Sequence, residues 1–281
     1  MDSGLSDKVV WITGAAGGIG RELARAFATE GARLVLSAHR SFATLEEQAA
    51  RADWGARALL VRADVTRPEE LERACALARE RYGRIDACVA NAGAWPSEDV
   101  PLSRMDPERL RRTVEVNLLG AAFTARAFLA GLEASGPRAD GQGAAFVAIG
   151  STAGHFGERD HADYALAKAG LRGLVATLKN EIARIDPRGR ANLIEPGWTA
   201  TELVRPALQD DALLRRVTST MSLRQLGRAR DVAAAALFLC SPLLAAHVSG
   251  QTLGVSGGME GRRLWAEGEL DAAAIRARLA D

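Results

Sequence analysis

The chain has 281 residues, of which 48% are hydrophobic and 25% charged, and its formal net charge at pH 7 is +1. That hydrophobic fraction is enough for a full core, and the balanced charge gives no reason to expect a nucleic acid or an anionic membrane as a partner. Residues 1–7 are polar and lack the apolar segment of a signal peptide. No apolar run approaches the ~20 residues that span a bilayer, so we expect no membrane segment.

The chain contains three cysteines, Cys75, Cys88 and Cys240. They are odd in number and far apart, and they follow neither a metal-binding spacing nor a disulfide framework. We therefore expect buried free thiols, no metal site and a reducing compartment, which for this chain means a cytoplasmic protein.

Predicted strands and helices alternate along the chain. Strands are predicted at residues 9–12, 34–37, 58–62, 87–90, 144–149, 191–194 and 252–255. Helices are predicted at residues 18–29, 44–52, 107–132, 163–185 and 231–240, with a further helix after the turn at residues 64–68. Thr66 and Glu69 have the spacing of a capping box at the start of that further helix. Continuous apolar strands that alternate with helices are typical of a parallel sheet covered on both faces. Because no linker-like segment interrupts the pattern, residues 1–259 are predicted to form a single domain.

A glycine-rich turn follows the first predicted strand directly. Its glycines are Gly14, Gly18 and Gly20, so three residues separate the first two, which departs from the spacing G-x-G-x-x-G. A turn of this kind lets a pyrophosphate approach the backbone and the N-terminus of the following helix. A tight turn that binds no ligand is the alternative.

Tyr164 and Lys168 lie four residues apart in a predicted helix and therefore share a face, and Ser151 precedes the tyrosine by thirteen residues. A phenol has a pKa of about 10 and is a poor base at neutral pH. A neighbouring ammonium favours the phenolate, and Tyr164 could then exchange a proton with a substrate oxygen. The alternatives are a half-buried helix tyrosine, a solvated lysine and a turn hydroxyl.

Several motifs occur in a fixed order along the chain. They are Thr13-Gly14-x-x-x-Gly18-Ile19-Gly20, Asn91-Ala92-Gly93, Asn117, Ser151, Tyr164-x-x-x-Lys168 and Pro196-Gly197. From about Lys8 to Met259 this set resembles the short-chain dehydrogenase/reductase family. The resemblance implies a Rossmann-type, doubly wound three-layer α/β fold with a mainly parallel seven-stranded sheet and a cofactor at the carboxyl ends of the strands. It also implies NAD(P)-dependent hydride transfer between the nicotinamide and a carbonyl or secondary alcohol, with Tyr164 as the general acid/base.

The resemblance assigns roles to a catalytic set of Asn117, Ser151, Tyr164 and Lys168. Ser151 would orient the substrate oxygen and Lys168 would hold the nicotinamide ribose. Asn117 would anchor a water that links Lys168 to solvent, whereas a hydrogen bond back to its own helix is the alternative. Besides Tyr164 and Lys168, the residues expected to bind the cofactor are Gly14, Ala16, Gly18, Ile19, Gly20, Ala38, His39, Arg40, Asp64, Val65, Asn91, Ala92, Gly93, Pro196, Gly197, Thr199 and Thr201.

The end of the second predicted strand bears on the choice of cofactor. Ala38 stands where NAD enzymes of this type carry an acidic residue. With no carboxylate to repel a 2′-phosphate, Arg40 could bind one, together with Ser37 and His39, and this favours NADP over NAD. Ala16 counts against NADP, because many NADP-preferring relatives carry a basic residue in that turn. A solvated surface arginine is the alternative for Arg40.

The substrate-binding residues are harder to predict. Trp95, His155, Phe156 and Trp198 lie just beyond the motifs and are predicted to wall a mainly apolar pocket for a small carbonyl or alcohol, although packing roles remain open. Residues 202–226 have the length and composition of a lid over the substrate. Glu195 precedes the Pro-Gly turn at a position where family members often have a small residue, and the sequence offers no account of it.

A tail of residues 260–281 follows the region of resemblance. Its apolar side chains and the helical character of residues 271–279 predict that it docks on its own subunit or on a neighbour. Alanine-rich faces on the predicted helices 107–132 and 163–185 favour a homo-tetramer or homo-dimer.

Two other functions remain open. A catalytically silent, cofactor-sensing regulator of the same fold usually lacks the tyrosine or the lysine. A nucleotide-sugar epimerase or dehydratase shares Tyr-x-x-x-Lys but usually has a longer chain with a separate substrate domain.

Overall fold

The computed structural model describes residues 1–204 and 206–279. The strands are β1 (Val9–Thr13), β2 (Arg33–Ala38), β3 (Ala58–Arg62), β4 (Ala87–Ala90), β5 (Ala145–Ile149), β6 (Arg190–Pro196), β7 (Thr199–Ala200), β8 (Gly227–Arg228) and β9 (Thr252–Val255). The α-helices are α1 (Gly18–Thr29), α2 (Phe42–Arg51), α3 (Pro68–Tyr82), α4 (Pro107–Val114), α5 (Gly120–Ser135), α6 (Ala153–Phe156), α7 (Ala162–Ile185), α8 (Asp211–Thr218), α9 (Ala229–Cys240) and α10 (Ala272–Ala277). Short 3₁₀ turns occur at Gly55–Arg57, Leu102–Arg104, Glu202–Val204, Pro206–Gln209 and Glu267–Glu269.

Seven strands form a parallel sheet in the order β3-β2-β1-β4-β5-β6-β9. The strand order reverses between β1 and β4, which creates a crevice at the carboxyl ends of these strands. The predicted doubly wound α/β fold with a seven-stranded parallel sheet is confirmed.

Helices cover both faces of this sheet, because successive strand residues point to opposite sides. On one face, side chains of β1 and β2 such as Ile12 and Leu36 pack with Phe27 of α1 and Leu239 of α9. On the other face the core is formed by residues of the strands and of α3, α5 and α7, including Trp11, Val35, Leu71, Phe128, Phe146 and Leu178. All three cysteines are buried and free, as predicted.

The predicted helix at residues 107–132 is not a regular α-helix. Between α4 and α5 the residues Glu115–Leu119 form a π-helical turn. Such turns widen the helix locally and occur frequently at functional sites. The hydrophobic periodicity of the sequence did not reveal this interruption.

The capping box predicted for α3 was wrong. The residue at the N-cap is Arg67, without a side-chain cap, and Pro68 occupies the first turn. The hydroxyl of Thr66 instead donates to Asp64 Oδ1 at 2.9 Å, and Thr66 N donates to the same oxygen at 2.9 Å. The local aspartate therefore binds the side chain that was expected to cap the helix.

A separate two-stranded parallel ladder joins β7 to β8, with Thr199 opposite Gly227 and Ala200 opposite Arg228. Residues 201–226 lie between these strands, and we call this segment the lid. The ladder brings the two ends of the lid together beside the sheet.

The tail, residues 260–279 of the described chain, packs on the lid of its own subunit. Ile275 of α10 is 2% exposed and lies in an apolar cluster with Leu214, Val217, Met221 and Leu226 of the lid. Trp198, Leu208, Leu213, Met259 and Leu279 pack against this cluster.

Polar contacts reinforce the docking of the tail. The indole N–H of Trp265 donates to the carbonyl of Met221 at 2.8 Å, and the guanidinium carbon of Arg224 lies 3.4 Å from the centroid of that indole ring. Arg276 donates to the carbonyl of Leu208 at 2.8 Å and forms an ion pair with Asp211. The lid and the tail therefore behave as one packed unit. No helix within the described residues has the length and apolar character needed to cross a membrane.

Candidate active site

A cleft of about 1420 Å³ lies at the carboxyl ends of the central strands. Small-molecule pockets usually measure ~300–1,000 Å³, so this cleft has room for a dinucleotide and a substrate together. All of the residues predicted to bind the cofactor line it. It is also lined by Ser151 and by two of the four residues predicted for the substrate pocket, Trp95 and Trp198.

The glycine turn between β1 and α1 depends on the absence of side chains at two positions. Gly14 has a φ of +64°, and a Cβ there would lie 2.7 Å from Ala92 Cα. A Cβ at Gly20 would lie 2.3 Å from the carbonyl oxygen of Gly14. The N-terminus of α1 carries neither a side-chain cap nor an acidic residue in its first turn. Its free N–H groups and positive dipole end therefore suit an anionic phosphate.

Asn91 and Thr13 fix the floor of the cleft between β1 and β4. The hydroxyl of Thr13 accepts hydrogen bonds from Asn91 N and Ala92 N, both at 3.1 Å. The side-chain amide of Asn91 donates to the carbonyls of Thr13 and Gly14, both at 3.0 Å. Sequence reasoning overlooked the buried Thr13 hydroxyl, although it immediately precedes the first glycine.

The first residues of the lid reach the glycine turn, a contact that sequence reasoning also missed. Glu202 forms an ion pair with Arg21 of α1, with N···O of 3.1 Å. A Cβ at Gly18 would lie 2.8 Å from Glu202 Oε2 and 2.9 Å from Thr201 Cβ. Gly18, the second of the three predicted glycines, therefore lets the lid approach the backbone, and the carboxylate of Glu202 lies where α1 favours negative charge.

The wall after β2 carries Ala38, His39 and Arg40. His39 Nδ1 lies 3.2 Å from Asp64 Oδ2, so the imidazole already contacts the carboxylate that follows β3. Although burial acts to raise it, the hydrogen bonds from Thr66 hold the pKa of Asp64 below its ordinary value. Arg40 is exposed on the cleft wall, and within residues 1–204 and 206–279 no hydrogen bond or ion pair fixes its guanidinium.

Ser37 does not join this wall, contrary to the sequence prediction. It is 1% exposed, and its hydroxyl accepts from the indole N–H of Trp11 at 3.1 Å and donates to the carbonyl of Ile12 at 3.4 Å. Successive strand residues point to opposite faces of the sheet, so the side chain of Ser37 points away from the cleft, whereas Ala38 at the end of β2 faces it.

Tyr164 lies near the start of α7 beside Ser151. Burial raises the pKa of Tyr164 to about 12, and a hydrogen bond with the Ser151 hydroxyl acts in the opposite direction. The indole of Trp95 contacts the phenol ring edge-on, with ring centroids 4.8 Å apart. Without a cofactor the phenol is therefore protonated at neutral pH.

Lys168 lies one turn further along α7 and is 4% exposed. Its Nζ donates to the carbonyl of Ile149 at 3.0 Å and lies 5.6 Å from the centroid of the Tyr164 ring. Burial lowers the pKa of Lys168 to about 8. An ammonium has three donors, so the group can also donate to hydroxyls in the cleft that it lines.

Asn117 lies in the π-helical turn, where it does not line the cleft. Its side-chain amide donates to the carbonyls of Ala94 at 2.9 Å and Thr113 at 3.0 Å, and its Oδ1 accepts from Ala94 N at 3.1 Å. The bond to Thr113 is the back-bond to its own helix that the sequence left open as an alternative. The side chain therefore fixes the loop after β4.

A buried carboxylate fixes the start of α7. Asp163 is fully buried and accepts from Arg109 Nε at 3.0 Å, Thr113 Oγ1 at 3.0 Å and Tyr164 N at 2.9 Å. Although burial acts to raise it, the bonds from Arg109 and Thr113 hold the pKa of Asp163 below its ordinary value. An acidic residue in the first turn of a helix was the available sequence signal, and it was not used.

Two of the residues predicted for the substrate pocket, His155 and Phe156, do not line the cleft. The imidazole of His155 turns towards Arg172 and Glu195 and stacks on Phe156, with ring centroids 4.4 Å apart. A Cβ at Gly261 would lie 2.9 Å from Phe156 Cδ1, so this ring contacts the tail. The prediction from chain proximity to Ser151 failed because α6 turns both side chains away.

His161 lies behind the Trp95 wall of the cleft, a position that the sequence did not assign to it. Its ring lies 4.1 Å from that of Trp95, measured between centroids, and its Nε2 lies 3.0 Å from Asp99 Oδ1. It is 3% exposed, so it supports the Trp95 wall from behind.

The residues present fit a dinucleotide. The uncapped N-terminus of α1 offers N–H donors for phosphates, and the buried Lys168 has free donor capacity for hydroxyls. Both groups line the same cleft, so one extended molecule can contact both of them. The nicotinamide end would then lie beside Tyr164 and Ser151, and the adenosine end beside Ala38 and Asp64.

Comparison with known proteins agrees with this arrangement. Residues 14–260 match the family model described as enoyl-(acyl carrier protein) reductase. The chain is 35% identical over 263 residues to an L-rhamnose 1-dehydrogenase (NAD(P)(+)) of Azotobacter vinelandii, a match that covers 91% of this chain and 97% of the relative. It is 34% identical over 255 residues to the 3-oxoacyl-[acyl-carrier-protein] reductase of Escherichia coli, covering 90% of this chain and 97% of the relative.

A solved structure gives the same result. The crystal structure of a short-chain dehydrogenase/reductase from Brucella melitensis, described as a glucose/ribitol dehydrogenase, matches with a TM-score of 0.82 and 29% identity. The match covers 92% of this chain and 99% of that chain. The chain therefore belongs to the short-chain dehydrogenase/reductase family, and it is an NAD(P)-dependent oxidoreductase that acts on CH–OH/C=O groups.

Proposed function

We propose that this protein transfers a hydride between NADP(H) and a small carbonyl or secondary alcohol, and that Tyr164 exchanges the accompanying proton with the substrate oxygen. The observation that carries the proposal is that Ser151 and Tyr164 line the same cleft wall, with the buried Lys168 one helical turn from the tyrosine. The nicotinamide, when bound, supplies or accepts the hydride. All other steps fall to residues of the chain.

Tyr164 acts as the proton donor in the reductive direction. Because burial raises the pKa of its phenol to about 12, the hydroxyl retains its proton at neutral pH until a substrate oxygen gains negative charge beside it. Ser151 donates to the same oxygen and holds it against the phenol. Trp95 covers the ring of Tyr164 and excludes water from that side.

Lys168 binds the ribose hydroxyls next to the nicotinamide. Its bond to the carbonyl of Ile149 directs the ammonium towards the cleft, and its pKa of about 8 allows it to pass a proton at moderately alkaline pH. Asn117 contributes indirectly, because its amide holds the backbone of Ala94 in the loop beside Lys168.

NADP is the proposed cofactor. The support is that Ala38 leaves the end of β2 without a carboxylate and that Arg40 lies exposed on the cleft wall. A guanidinium in this place can bind a 2′-phosphate through two hydrogen bonds. NAD remains the competing cofactor, and the outcome depends on Arg40.

We also propose that residues 1–259 form a single dehydrogenase domain with residues 260–281 as its tail, and that the protein works as a homo-tetramer or homo-dimer in the cytoplasm. Ala121 and Ala125 of the predicted alanine face are buried in the core of their own subunit, so they do not support assembly. Leu119 and Leu166, which are 41% and 56% exposed beside α5 and on α7, support it better.

The test is the substitution Tyr164→Phe, assayed by the absorbance of the reduced nicotinamide with a panel of ketones and secondary alcohols. Loss of the proton donor should lower kcat by ~10²–10⁴ while the affinity for NADPH stays within a few-fold. Tyr82→Phe is the matched control, because the only other tyrosine lies on α3 and donates to the carbonyl of Arg57.

Two outcomes would contradict the proposal. A Tyr164→Phe enzyme with nearly unchanged kcat excludes the tyrosine mechanism. NADPH binding without turnover of any compound in the panel favours the silent regulator instead. The complete set of Ser151, Tyr164 and Lys168 favours the enzyme.

A further inference from the structure

A buried carboxylate on β6 forms a two-pronged ion pair with α7. Glu195 is 2% exposed. Arg172 Nε donates to Glu195 Oε1 at 2.8 Å, and Arg172 Nη2 donates to Glu195 Oε2 at 2.6 Å. The hydrogen bonds to Glu195 raise the pKa of Arg172. Paired bonds of this kind fix direction as well as distance.

His155 of α6 also contacts this ion pair. Its Nδ1 lies 2.5 Å from Arg172 Nη2 and 3.5 Å from Glu195 Oε2. A guanidinium can only donate, so Nδ1 accepts and the imidazole carries its proton on Nε2. We call Arg172, Glu195 and His155 the Arg172 cluster.

The carboxylate of this cluster lies directly beneath the turn that carries Ser151. Gly150 N donates to the carbonyl of Ile194 at 2.7 Å, and Thr152 N donates to the carbonyl of Pro196 at 2.9 Å. Glu195 lies between the two acceptor residues on β6, and Ser151 lies between the two donor residues on the facing turn. A Cβ at Gly150 would lie 3.2 Å from Glu195 Cγ, so a displacement of Glu195 also displaces the residue before Ser151.

Arg172 lies on the helix that carries Tyr164. Tyr164, Lys168 and Arg172 recur every four residues along α7, so they lie on one side of the helix. The helix α6 also packs closely on α7, because a Cβ at Gly154 would lie 2.7 Å from Ala169 N. The Arg172 cluster therefore connects the helix of the tyrosine, the turn of the serine and the strand that leads to Pro196.

We infer that the Arg172 cluster positions Ser151 against Tyr164. Its effect on turnover rests on the proposed function, whereas its effect on the placement of Ser151 beside Tyr164 does not. The Arg172 side chain is 40% exposed, and an ion pair that water reaches in this way usually contributes little to stability. The contribution of the pair is instead to fix the orientation of the groups that it joins. In active sites a misplacement of ~1 Å can cost about 10²-fold in rate.

The primary test observes the surroundings of the Tyr164 phenol. The chain has two tyrosines, so a Tyr82→Phe protein grown with fluorotyrosine gives a single fluorine NMR signal, from Tyr164. In this background Ser151→Ala gives the signal position of a phenol without its serine partner. Arg172→Met with Glu195→Met removes both charges at similar volume, and the signal should move at least about halfway to the Ser151→Ala position.

The matched control is Arg138→Met. Arg138 forms an ion pair with Asp86, with N···O of 3.0 Å, before the amino end of β4 and far from the cleft. This variant should leave the signal where it is in the parent. A signal that also stays in place in the double variant overturns the inference, because Ser151 would then keep its position without the cluster.

Arg172→Lys serves if the double variant fails to fold. It keeps the charge on Glu195 but loses the two-pronged geometry. The signal should shift in the same direction, and kcat should fall about tenfold while the KM for NADPH changes by less than about twofold. An unshifted signal with unchanged kcat overturns the inference.

The two proposals fail separately. If Tyr164→Phe retains its kcat, the tyrosine mechanism is wrong, and the fluorine signal still decides the role of the cluster. If Tyr164→Phe loses activity while Arg172→Lys keeps both its kcat and its signal position, only the positioning role is wrong.

Discussion

The two ends of the cleft are built in different ways. At the cofactor end the walls are strand termini and the glycine turn, whose backbone is fixed by hydrogen bonds between neighbouring strands such as those of Asn91 with Thr13. Beside Trp198 the cleft borders the lid, whose first residues, Thr201 and Glu202, also approach the glycine turn. Later residues of the lid pack on the tail through a small apolar cluster of their own. The glycine turn is therefore held by the sheet, whereas the lid depends on a second, smaller core.

This difference has a counterpart in the comparisons. The family match ends at residue 260, so nearly all of the tail lies outside it. Yet the tail contributes Ile275 to the cluster and the Trp265 hydrogen bond to Met221. The lid of this protein therefore packs on a segment that lies almost wholly outside the family match.

Removal of the tail should have the largest effect of the changes considered, and this effect should differ between the two ends of the cleft. In a chain that ends at Met259, the lid loses its contacts with Ile275 and the hydrogen bond from Trp265 to Met221. The buried Leu270 is lost as well, and each buried apolar side chain contributes ~1.5–3 kcal/mol. We expect the free energy of unfolding to fall by several kcal/mol on this scale and the KM for the substrate to rise about tenfold, while the affinity for NADPH remains. Denaturant unfolding and cofactor titration measure these effects.

Arg262→Ala is the control for the truncation, because Arg262 is exposed and pairs with Glu260 on the tail itself. Light scattering on the full and shortened chains tests assembly at the same time. An unchanged mass places the action of the tail within its own subunit, and a monomeric full chain contradicts the proposed oligomer. Unchanged stability and unchanged KM in the shortened chain would show that the two ends of the cleft do not differ as described.

A smaller effect is expected at the cofactor end from the buried lysine. Burial lowers the pKa of Lys168 from 10.5 to about 8, so between these values the unfolded chain binds more protons and stability rises with pH. Lys168→Met should therefore stabilise the cofactor-free protein at pH 7, by at most roughly 3 kcal/mol at ~1.4 kcal/mol per pKa unit. This advantage should shrink as the pH rises from 8 to 10.5.

Unfolding of both proteins across this pH range measures the effect. Lys179→Met is the matched control on the same helix, since Lys179 bonds to the exposed Asn180. A variant that is less stable than the parent at every pH would show that burial of the Lys168 ammonium does not destabilise the folded chain. Lys168 would then not be a group whose burial a bound cofactor could compensate.

The smallest effect concerns the adenosine end. Arg40→Ala should weaken NADPH about tenfold, equivalent to ~1.4 kcal/mol, and leave NADH nearly unchanged. Ala38→Asp should shift the preference towards NADH, because the new carboxylate binds ribose hydroxyls and repels a 2′-phosphate. Titration of both variants with both cofactors tests these two expectations. Arg51→Ala is the control, because Arg51 is also an exposed arginine. Equal losses for NADPH and NADH in Arg40→Ala would make Arg40 a surface residue.

The parts of the site that the sequence predicted are those whose geometry is local. The glycine turn follows from spacing, because Gly14 and Gly20 are needed where backbone meets backbone. Tyr164 and Lys168 are one helical turn apart whatever surrounds the helix. The alternation of strands and helices likewise predicted the sheet.

The parts that the sequence missed depend on partners distant in the chain. The bonds of Asn117 to Ala94 and of Glu195 to Arg172 join residues 23 positions apart in both cases, and neither partner has a distinctive motif. His155 was expected in the pocket because it is near Ser151 in the chain, but the direction of its side chain is set by α6. Side-chain direction of this kind depends on packing and not on spacing.

The ladder between β7 and β8 has a consequence for how this enzyme could change. Because Thr199 pairs with Gly227, the ends of the intervening segment are held together whatever its length. A loop whose ends are already joined tolerates insertions well, since doubling its length costs only ~0.6 kcal/mol of closure entropy. New substrate ranges could therefore be obtained by exchanging residues 201–226 as a cassette, provided that residues 260–279 are exchanged with them to keep the contacts of Trp265 and Ile275.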